Sequence, residues 1–463
     1  MFNSDLIELP PPLMSLCQHI LQLNGKAWLV GGSVRDLMLD QTPKDYDIEV
    51  FGLEMSVLQT ALNTLGRTEL VGQQFGVLKL WMAGFEFDIA LPRSEIKSGP
   101  GHRGFDVTPD PHISEYKASL RRDFSINAMM FDPLNNTLID HHHGREDLEK
   151  RILRHVSPAF PEDPLRPLRA MQFAARFQLQ LHPDTARLCR SLMDEYSTLP
   201  RERIWAEWQK WSHAPYPSYG LKALQDCGWL SLYPGLEDMI DCPQSPYWHP
   251  EGDVWKHTLQ VCDQAAVVAR RYQSDNEITE ILALAALCHD IGKPESTVVD
   301  QSGTIRSPGH SQTGVPLSMQ FLGQIGAPRR LAPYITTLVA EHIAHIHGEP
   351  TARAVRRLSH RLEPANIELW EMLVEADASG RAPAPVSRPA LSWLQLAQEL
   401  QHHQQKPDAI LNGTMLLSQG MAPGPEMGEI LKKAYHAQLD GLFVDEQSAI
   451  TWLSHHSTII LTE

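Results

Sequence analysis

Residues 26–51 read KAWLVGGSVRDLMLDQTPKDYDIEVF, and this stretch decides the fold. An apolar run, Ala27 to Val30, enters the pair Gly31-Gly32 and then a short helical stretch from Ser33 to Leu39, with Arg35 and Asp36 in its first turn. The chain returns through Asp45-Tyr46-Asp47 into a second apolar run. Alternate residues of a strand share a face, so Asp45 and Asp47 are expected side by side. Two carboxylates at that spacing repel unless a cation lies between them, and hard oxygen ligands suit Mg²⁺. The glycines let backbone N–H groups approach closely at a helix N-terminus, which favours a phosphate. A bare D-x-D is most simply a solvated turn; preceded by G-G-x-V-R-D it points to nucleotidyl transfer.

Outward from this stretch the pattern stays mixed as far as Asp140. Residues 1–25 read as a leading helix that stops near Asn24-Gly25. Phe75–Met82 and Phe85–Leu91 are strand-like runs joined by Ala83-Gly84, a hairpin signal. In the second run Glu86 and Asp88 share a face, which makes Asp88 available as a third carboxylate. Residues 93–105, RSEIKSGPGHRGF, have the composition of a mobile substrate loop. From Arg145 onward the periodicity is helical. Residues 381–390, RAPAPVSRPA, read as a proline-rich linker, and Pro425 as the opening of a late helix.

The composition narrows the class. At 463 residues the chain exceeds what one core usually serves, so several domains are expected. No apolar run approaches the ~20 residues of a membrane span. The start, MFNSDLIELPPPL, lacks the basic and apolar regions of a signal peptide. Six cysteines without a C-x-x-C pair read as buried thiols of a reducing cytoplasm. The net charge of −16 argues against a general nucleic-acid binder. Residues 151–210, however, carry ten Lys/Arg against seven Asp/Glu and offer a locally positive face.

Three further motifs follow in order: Arg121-Arg122-Asp123-Phe124-Ser125-Ile126-Asn127-Ala128, Leu153-Arg154-His155-Val156, and Glu162-Asp163-Pro164-Leu165-Arg166-Pro167-Leu168-Arg169. With G-G-x-V-R-D and D-x-D, the chain resembles the class II tRNA nucleotidyltransferases and bacterial poly(A) polymerases of the polymerase-β superfamily. The resemblance implies an α+β chain whose small mixed-sheet head is followed by helical domains. It also implies Asp45 and Asp47 as Mg²⁺ ligands, with Asp88 as a third catalytic carboxylate. Gly31, Gly32, Arg35 and Arg122 would contact the triphosphate, with Arg169 a further nucleotide-binding residue. Asp163 and Arg166 would read the Watson–Crick edge of CTP or ATP. A carboxylate accepts from an exocyclic amino group and a guanidinium donates to ring acceptors, which suits both bases. Read alone, E-D-x-x-R is only an i, i+3 ion pair at a helix start.

Three positions depart from the family pattern: Gln172 stands for an arginine, Asp40 for a glycine, and His141-His142-His143 follow Asp140 where proline is usual. Poly(A) polymerases carry an arginine-rich G-[RK]-R-F-x-L stretch; Gly72-Gln73-Gln74-Phe75-Gly76-Val77 lacks its basic residues.

The second half contains His257, His289-Asp290 and Asp377 in the order H…HD…D. It resembles the all-helical HD superfamily of metal-dependent phosphohydrolases. Two imidazoles and two carboxylates form a mixed site suited to Mg²⁺, Mn²⁺ or Ni²⁺, and His310 and His342 are candidates for a second ion. Trp248-His249-Pro250-Glu251-Gly252-Asp253 fits the approach seen in nucleotidyltransferases of the multifunctional bacterial type. Those enzymes act as 2′,3′-cyclic phosphodiesterases, 2′-nucleotidases and phosphatases.

The resemblance divides the chain into a catalytic head (1–144), a nucleotide-selecting and RNA-binding neck and body (145–240), an HD domain (241–382) and a helical C-terminal domain (391–463). The expected activity is CCA addition to tRNA from CTP and ATP, with phosphohydrolysis, in a cytoplasmic monomer or homodimer that engages no membrane. Partial CC or A addition, poly(A) synthesis, and an HD hydrolase with an idle transferase half are the alternatives.

Overall fold

The computed structural model describes residues 8–71, 77–97, 105–381 and 387–456. The chain divides into two compact units. One comprises Met1–Trp211 with Tyr219–Leu232, the other Ser212–Ser218 with Tyr233–Glu463.

The first unit opens with α1 (Pro11–Gln22), which has proline in its first turn and buries Leu13, Leu16, Cys17 and Ile20, one face at helical spacing. β1 (Lys26–Val30), α2 (Gly32–Met38) and β2 (Tyr46–Phe51) follow. Next come α3 (Met55–Leu62), β3 (Arg67–Val71), β4 (Val77–Met82) and β5 (Phe85–Ala90). Ala83 and Gly84 both have positive φ, the conformation a tight two-residue hairpin turn requires.

Residues 93–105, expected as a loop, instead contribute β6 (Arg93–Lys97), which pairs with β7 (Phe105–Pro109) from Arg93↔Pro109 to Lys97↔Phe105. Glycine-rich composition falls in the connection between them, and antiparallel pairing satisfies the flanking backbone. Residues 98–104 lie outside the described residues, as do residues 72–76 of the stretch compared with poly(A) polymerases. After α4 (Glu115–Ser119), β8 (Met130–Asp132) and β9 (Thr137–Ile139) complete a seven-stranded mixed sheet of order β3-β4-β5-β2-β1-β8-β9. β2 is central, antiparallel to β1 and parallel to β5.

The rest of this unit is mostly helical: α5 (Gly144–Glu149), α6 (Arg166–Phe177), α7 (Pro183–Arg190), α8 (Arg201–Ser212) and α9 (Pro217–Asp226). β10 (Ile152–Leu153) and β11 (Gln180–Leu181) form a short parallel pair.

In the second unit α10 (Val254–Arg271) and α11 (Asn276–Cys288) are capped by Asp253 and Asp275, whose carboxylates accept from Lys256 and Ile278 N–H. After α12 (Lys293–Ser296) and the hairpin of β12 (Val298–Val299) and β13 (Ile305–Arg306) come α13 (His310–Gln324), α14 (Leu331–Glu341), α15 (Ala352–Arg361) and α16 (Ile367–Ser379). α11 is buried from Glu280 to Cys288 and packs against α10, α14 and α16. Arg388 donates to Glu371 at 2.8–2.9 Å and to the Tyr272 hydroxyl at 2.7 Å, fastening the end of the proline-rich segment to this bundle.

The chain closes with α17 (Leu391–Glu399), α18 (Gly413–Ser418), α19 (Pro425–Leu439) and α20 (Glu446–His456). Leu411, Leu416, Phe443 and Leu453 form a core of their own there, and Arg353 and Arg357 of α15 both pair with Asp440. Among the described residues no helix is long and apolar enough to cross a membrane.

Two candidate active sites

The first cluster forms where β2 meets α2. Asp47 lies on β2 directly opposite Asp88 of β5 in the parallel register. Asp45 stands one residue before the strand begins and is exposed. The Ser33 hydroxyl donates to the Asp45 carbonyl at 3.0 Å and accepts from Asp47 N–H at 2.9 Å, pinning the D-x-D to the start of α2. Gly31 has φ +68°, and a Cβ there would lie 3.0 Å from Arg122 Nη1 and 3.6 Å from Asp47 Oδ2. The positive φ favours glycine, and a Cβ would crowd the end of the Arg122 side chain.

Burial raises the Asp47 carboxyl to about 6; Arg122 opposes the rise, and Asp88 and Asp45 add to it. A divalent cation beside these carboxylates would relieve that repulsion. Asp88 also pairs with Lys79 at 3.1 Å. Arg121 donates to buried Glu49 at 2.7 Å, while Arg122 lies 3.7 Å from the same carboxylate.

Arg35 is placed differently from a triphosphate ligand. It is 4% exposed, with Nε and Nη2 donating to Asp36, Nη1 to Asn127 Oδ1 at 2.7 Å, and its plane 4.3 Å from the Phe177 ring centre. Arg166 donates to the carbonyls of Ala159, Phe160 and Arg121 at 2.8–3.1 Å. Arg169 donates to Asp123 at 2.8 Å. Burial would raise the Asp123 carboxyl, yet Arg169 and Asn127 hold it below its usual value. These bonds interlock G-G-x-V-R-D, R-R-D and E-D-P-L-R-x-L-R into one framework. Asp163 faces Arg203 at 3.4 Å, and Gln172 is buried, its oxygen accepting from Arg176 at 3.4 Å. Asp40 has φ +55°, which explains why glycine is the easier residue there.

The second cluster is assembled from helix ends. His257 is in the first turn of α10, His289 caps α11 and is followed by Asp290, His310 opens α13, His342 caps α14, and Asp377 is in the last turn of α16. Three sets of ligand atoms lie within coordinating reach of one another among the described residues: the buried His257, His289 and Asp377, the buried Asp290, His310 and His342, and His257 with the partly buried His249 and Glu251.

The Nδ1 atoms of His289, His310 and His342 lie 2.7–2.8 Å from the carbonyls of Ala286, Ser307 and Val339. A carbonyl only accepts, so each Nδ1 carries a proton, and in the neutral tautomer this leaves the Nε2 lone pair facing inward. His310 Nε2 and His342 Nε2 face each other at 3.2 Å. His289 Nε2 is buried 3.2 Å from Asp290 Oδ2 without the alignment of a hydrogen bond. Opposed lone pairs and an unsatisfied ring nitrogen are what a bound cation would resolve.

Burial would raise Asp290, but His289 and Lys293 hold it well below the carboxylate range. Asp377 behaves likewise, its burial outweighed by His257, His289 and Arg381. Burial pushes His310 down to about 4, leaving it neutral and able to ligate.

Sequence comparison supplies the family. The "Poly A polymerase head domain" matches residues 27–154, "Probable RNA and SrmB- binding site of polymerase A" residues 178–240, and "HD domain" residues 254–378. A multifunctional CCA protein of Aliivibrio salmonicida is 34% identical over 366 residues, covering 76% of this chain and 85% of the relative. That of Xanthomonas campestris pv. campestris is 34% identical over 421 residues, 88% and 97% of the two chains. The chain belongs to the multifunctional CCA protein family.

Its fold is that of solved CCA-adding enzymes. The Bacillus stearothermophilus enzyme in complex with CTP aligns with TM-score 0.64 and 22% identity over 97% of this chain and 98% of that one. The Thermotoga maritima enzyme complexed with tRNA gives TM-score 0.60 and 18% identity over 98% of each.

Several residues of the two clusters escaped the sequence reading. Ser33 sits beside the glycines, and Glu49 continues the alternation of Asp45 and Asp47; both carried a positional signal. Lys79 and Arg203 carried none, because the contacts that define them are long-range. Lys293, inside H-D-I-G-K, donates to Gln244 and pairs with Asp290, each at 2.6 Å. Glu251 faces His249 Nδ1 at 2.9 Å and His257 Nδ1 at 2.7 Å.

Gly292, between Asp290 and Lys293, has a packing reason for its identity. A Cβ there would meet the His310 carbonyl at 2.2 Å and Gly314 N at 2.5 Å, both backbone atoms. Gly292→Ala is expected to cost about 1–3 kcal/mol, as overpacked cores do. Calorimetric unfolding of the full chain should show the loss, and an unchanged melting profile would contradict this packing.

Proposed function

We propose that this chain adds CCA to the 3′ end of tRNA from CTP and ATP, and that its second unit clears phosphate from RNA ends. The observation that carries the first reading is Asp47 opposite Asp88, with Asp45 beside them and the positive-φ Gly31 close to Asp47 and Arg122. Asp45 and Asp47 would hold Mg²⁺. When bound, the ions stabilise the attacking 3′-oxygen and the triphosphate of an in-line displacement. Gly31 and Gly32 leave room for the triphosphate, and Arg122 supplies charge beside Asp47.

Arg35 acts as a brace through Asn127 and Phe177. Asp163 and Arg166 read the base, with Arg203 holding Asp163 and Arg166 keeping Nε–H outside its carbonyl contacts. Arg169 fixes Asp123 beneath them. Within this reading residues 1–144 perform transfer, 145–240 select nucleotide and hold RNA, and 241–382 hydrolyse phosphate. Six free, buried cysteines accord with a cytoplasmic location.

In the second unit His257, His289, Asp290 and Asp377 would hold a divalent cation, and His310 and His342 a second beside Asp290. Mn²⁺, Ni²⁺ and Mg²⁺ suit this mixed donor set. The chemistry the ion supplies when bound is a more acidic water. In a 2′,3′-cyclic phosphate, water oxygen joins phosphorus as the P–O3′ bond breaks and O3′ takes a proton, giving a 2′-phosphate beside the 3′-hydroxyl that transfer needs. A second water then joins phosphorus as the P–O2′ bond breaks, O2′ takes a proton and inorganic phosphate leaves. Lys293 pairs with Asp290 within this cluster and brings a positive charge to it.

Burial would raise Glu251, but His249 and His257 bring it to about 2, so it is ionised and orients His257. Glu251→Gln should weaken Mn²⁺ binding to the stripped full-length protein by roughly 10–100-fold, as loss of a carboxylate behind a ligating histidine does. Titration calorimetry reads this directly, and unchanged affinity would remove Glu251 from the site. The transferase reading is tested by incubating the protein with tRNA lacking CCA and CTP, ATP or both. CTP alone should add two residues and the mixture three; a long tail of A, or no product, would overturn it.

A further inference from the structure

The mouth of the second cluster carries an aromatic pair that metal binding does not use. Tyr247 and Trp248 are 80% and 62% exposed, with ring centroids 4.8 Å apart at 89°. Trp248 lines the same cavity of about 650 Å³ as Asp290, His310, Lys293, Arg306 and Arg381. A bare phosphate needs far less room, whereas the volume is within the usual span for organic ligands.

The backbone that carries the indole is held by two hydrogen bonds of its own main chain. Trp248 N–H and His249 N–H both donate to the Ser245 carbonyl, at 3.1 and 2.9 Å. The next side chain, His249, lies 2.9 Å from Glu251, which in turn faces His257 at 2.7 Å. Tyr247 meets the indole edge-on, a favourable arrangement that leaves a flat face available. The backbone at Trp248 is thus tied to the metal-ligand cluster through His249 and Glu251.

Cations line the same cavity. Arg381 pairs with Asp377 at 3.4 Å and has a buried Nε without a hydrogen-bond acceptor. Arg306 is exposed on the hairpin that forms part of the wall. Lys293 stands at Asp290. An aromatic plane beside cations and a phosphate-directed cluster is the donor set for a phosphate ester that carries a nucleobase.

We propose that Trp248 is the stacking platform for the base of the nucleotide whose phosphate is hydrolysed. The proposal rests on the phosphohydrolase reading above. Trp248 contributes specificity; it does not touch the reacting phosphorus.

The test uses full-length protein with Mn²⁺ and two esters, adenosine 2′,3′-cyclic phosphate and 1-O-methylribose 2′,3′-cyclic phosphate, which lacks the base. Trp248→Ala should raise KM for the adenosine ester roughly tenfold, the scale of one lost base stack. Its kcat, its bound manganese, its CTP incorporation and its KM for the ribose ester should hold. Trp248→Phe should restore most of the affinity. Calorimetric titration of adenosine 2′-monophosphate, in saturating CTP to occupy the transferase site, should show the same loss.

Equal KM for the two esters in the unsubstituted protein would overturn the platform and leave the hydrolase reading standing. So would a Trp248→Ala effect shared by both esters, or no effect on either. Failure of the unsubstituted protein to cleave either ester would overturn the hydrolase reading and the platform with it.

Discussion

Asp47→Asn should reduce CTP incorporation into tRNA lacking CCA by roughly a thousandfold, because several kcal/mol of charge stabilisation in the transition state depend on a filled metal site. Asparagine keeps the shape of the residue and removes its charge. Asp47 is the member of the trio whose carboxyl burial and neighbouring charge push up to about 6, and it faces Asp88 directly across β2 and β5. Losing it leaves Asp45 and Asp88 without the ligand between them. Affinity for tRNA, read by filter retention, should hold because the carboxylate serves the ions and not the RNA body. Retained incorporation in Mg²⁺ would show that Asp47 is not a ligand.

Asp290→Asn carries the second large effect. Asp290 is 2% exposed, and its two oxygens lie 2.6–3.9 Å from Lys293, His257, His289, His310 and His342. It belongs to the set with His310 and His342 and also lies within 3.9 Å of His257 and His289 of the set with Asp377. Its loss should abolish hydrolysis of a 2′,3′-cyclic phosphate while nucleotide addition continues, because the two clusters belong to separate compact units with different ligands. Removing one partner of a buried charge pair also destabilises a protein by about 3–5 kcal/mol. His289→Ala therefore serves as the companion variant, with circular dichroism as the control for folding. Hydrolysis that survives in both folded variants would refute the assignment. Loss of nucleotide addition in both would show that the two units are coupled.

The carboxylates proposed for transfer and the histidine cluster could be picked out in the sequence because their signals are local. D-x-D, H-D and the apolar run of α11 ahead of His289 each occupy a few consecutive residues. The metal-like grouping of His310 and His342 with Asp290 was legible only as residue type, since three separate helix ends bring them together.

The arginines were harder. In sequence Arg35 reads as a triphosphate contact and Arg166 as a reader of the base edge; in the fold their donors go to Asp36, Asn127 and three backbone carbonyls. Those partners lie up to 92 residues away, so the framework role is a property of tertiary contact. The stretch 93–105 misled through composition: glycine and serine concentrate in the connection, while strand pairing organises the residues on either side. Asp45 shows the same limit on a smaller scale. Its alternation with Asp47 suggested one strand face, but the strand begins one residue later, and Ser33 supplies the tie that periodicity could not reveal.

The joint account of the two clusters has one direct test. A tRNA lacking CCA and ending in a 2′,3′-cyclic phosphate is incubated with the full-length protein, Mg²⁺, Mn²⁺, CTP and ATP, and its 3′ end is sequenced beside that of the same tRNA ending in a 3′-hydroxyl. The account predicts C, C and A on both substrates, and with Asp290→Asn on the hydroxyl substrate alone. Extension of neither substrate by the unsubstituted protein would contradict the transferase assignment. Extension of the hydroxyl substrate only would contradict the link between the two chemistries.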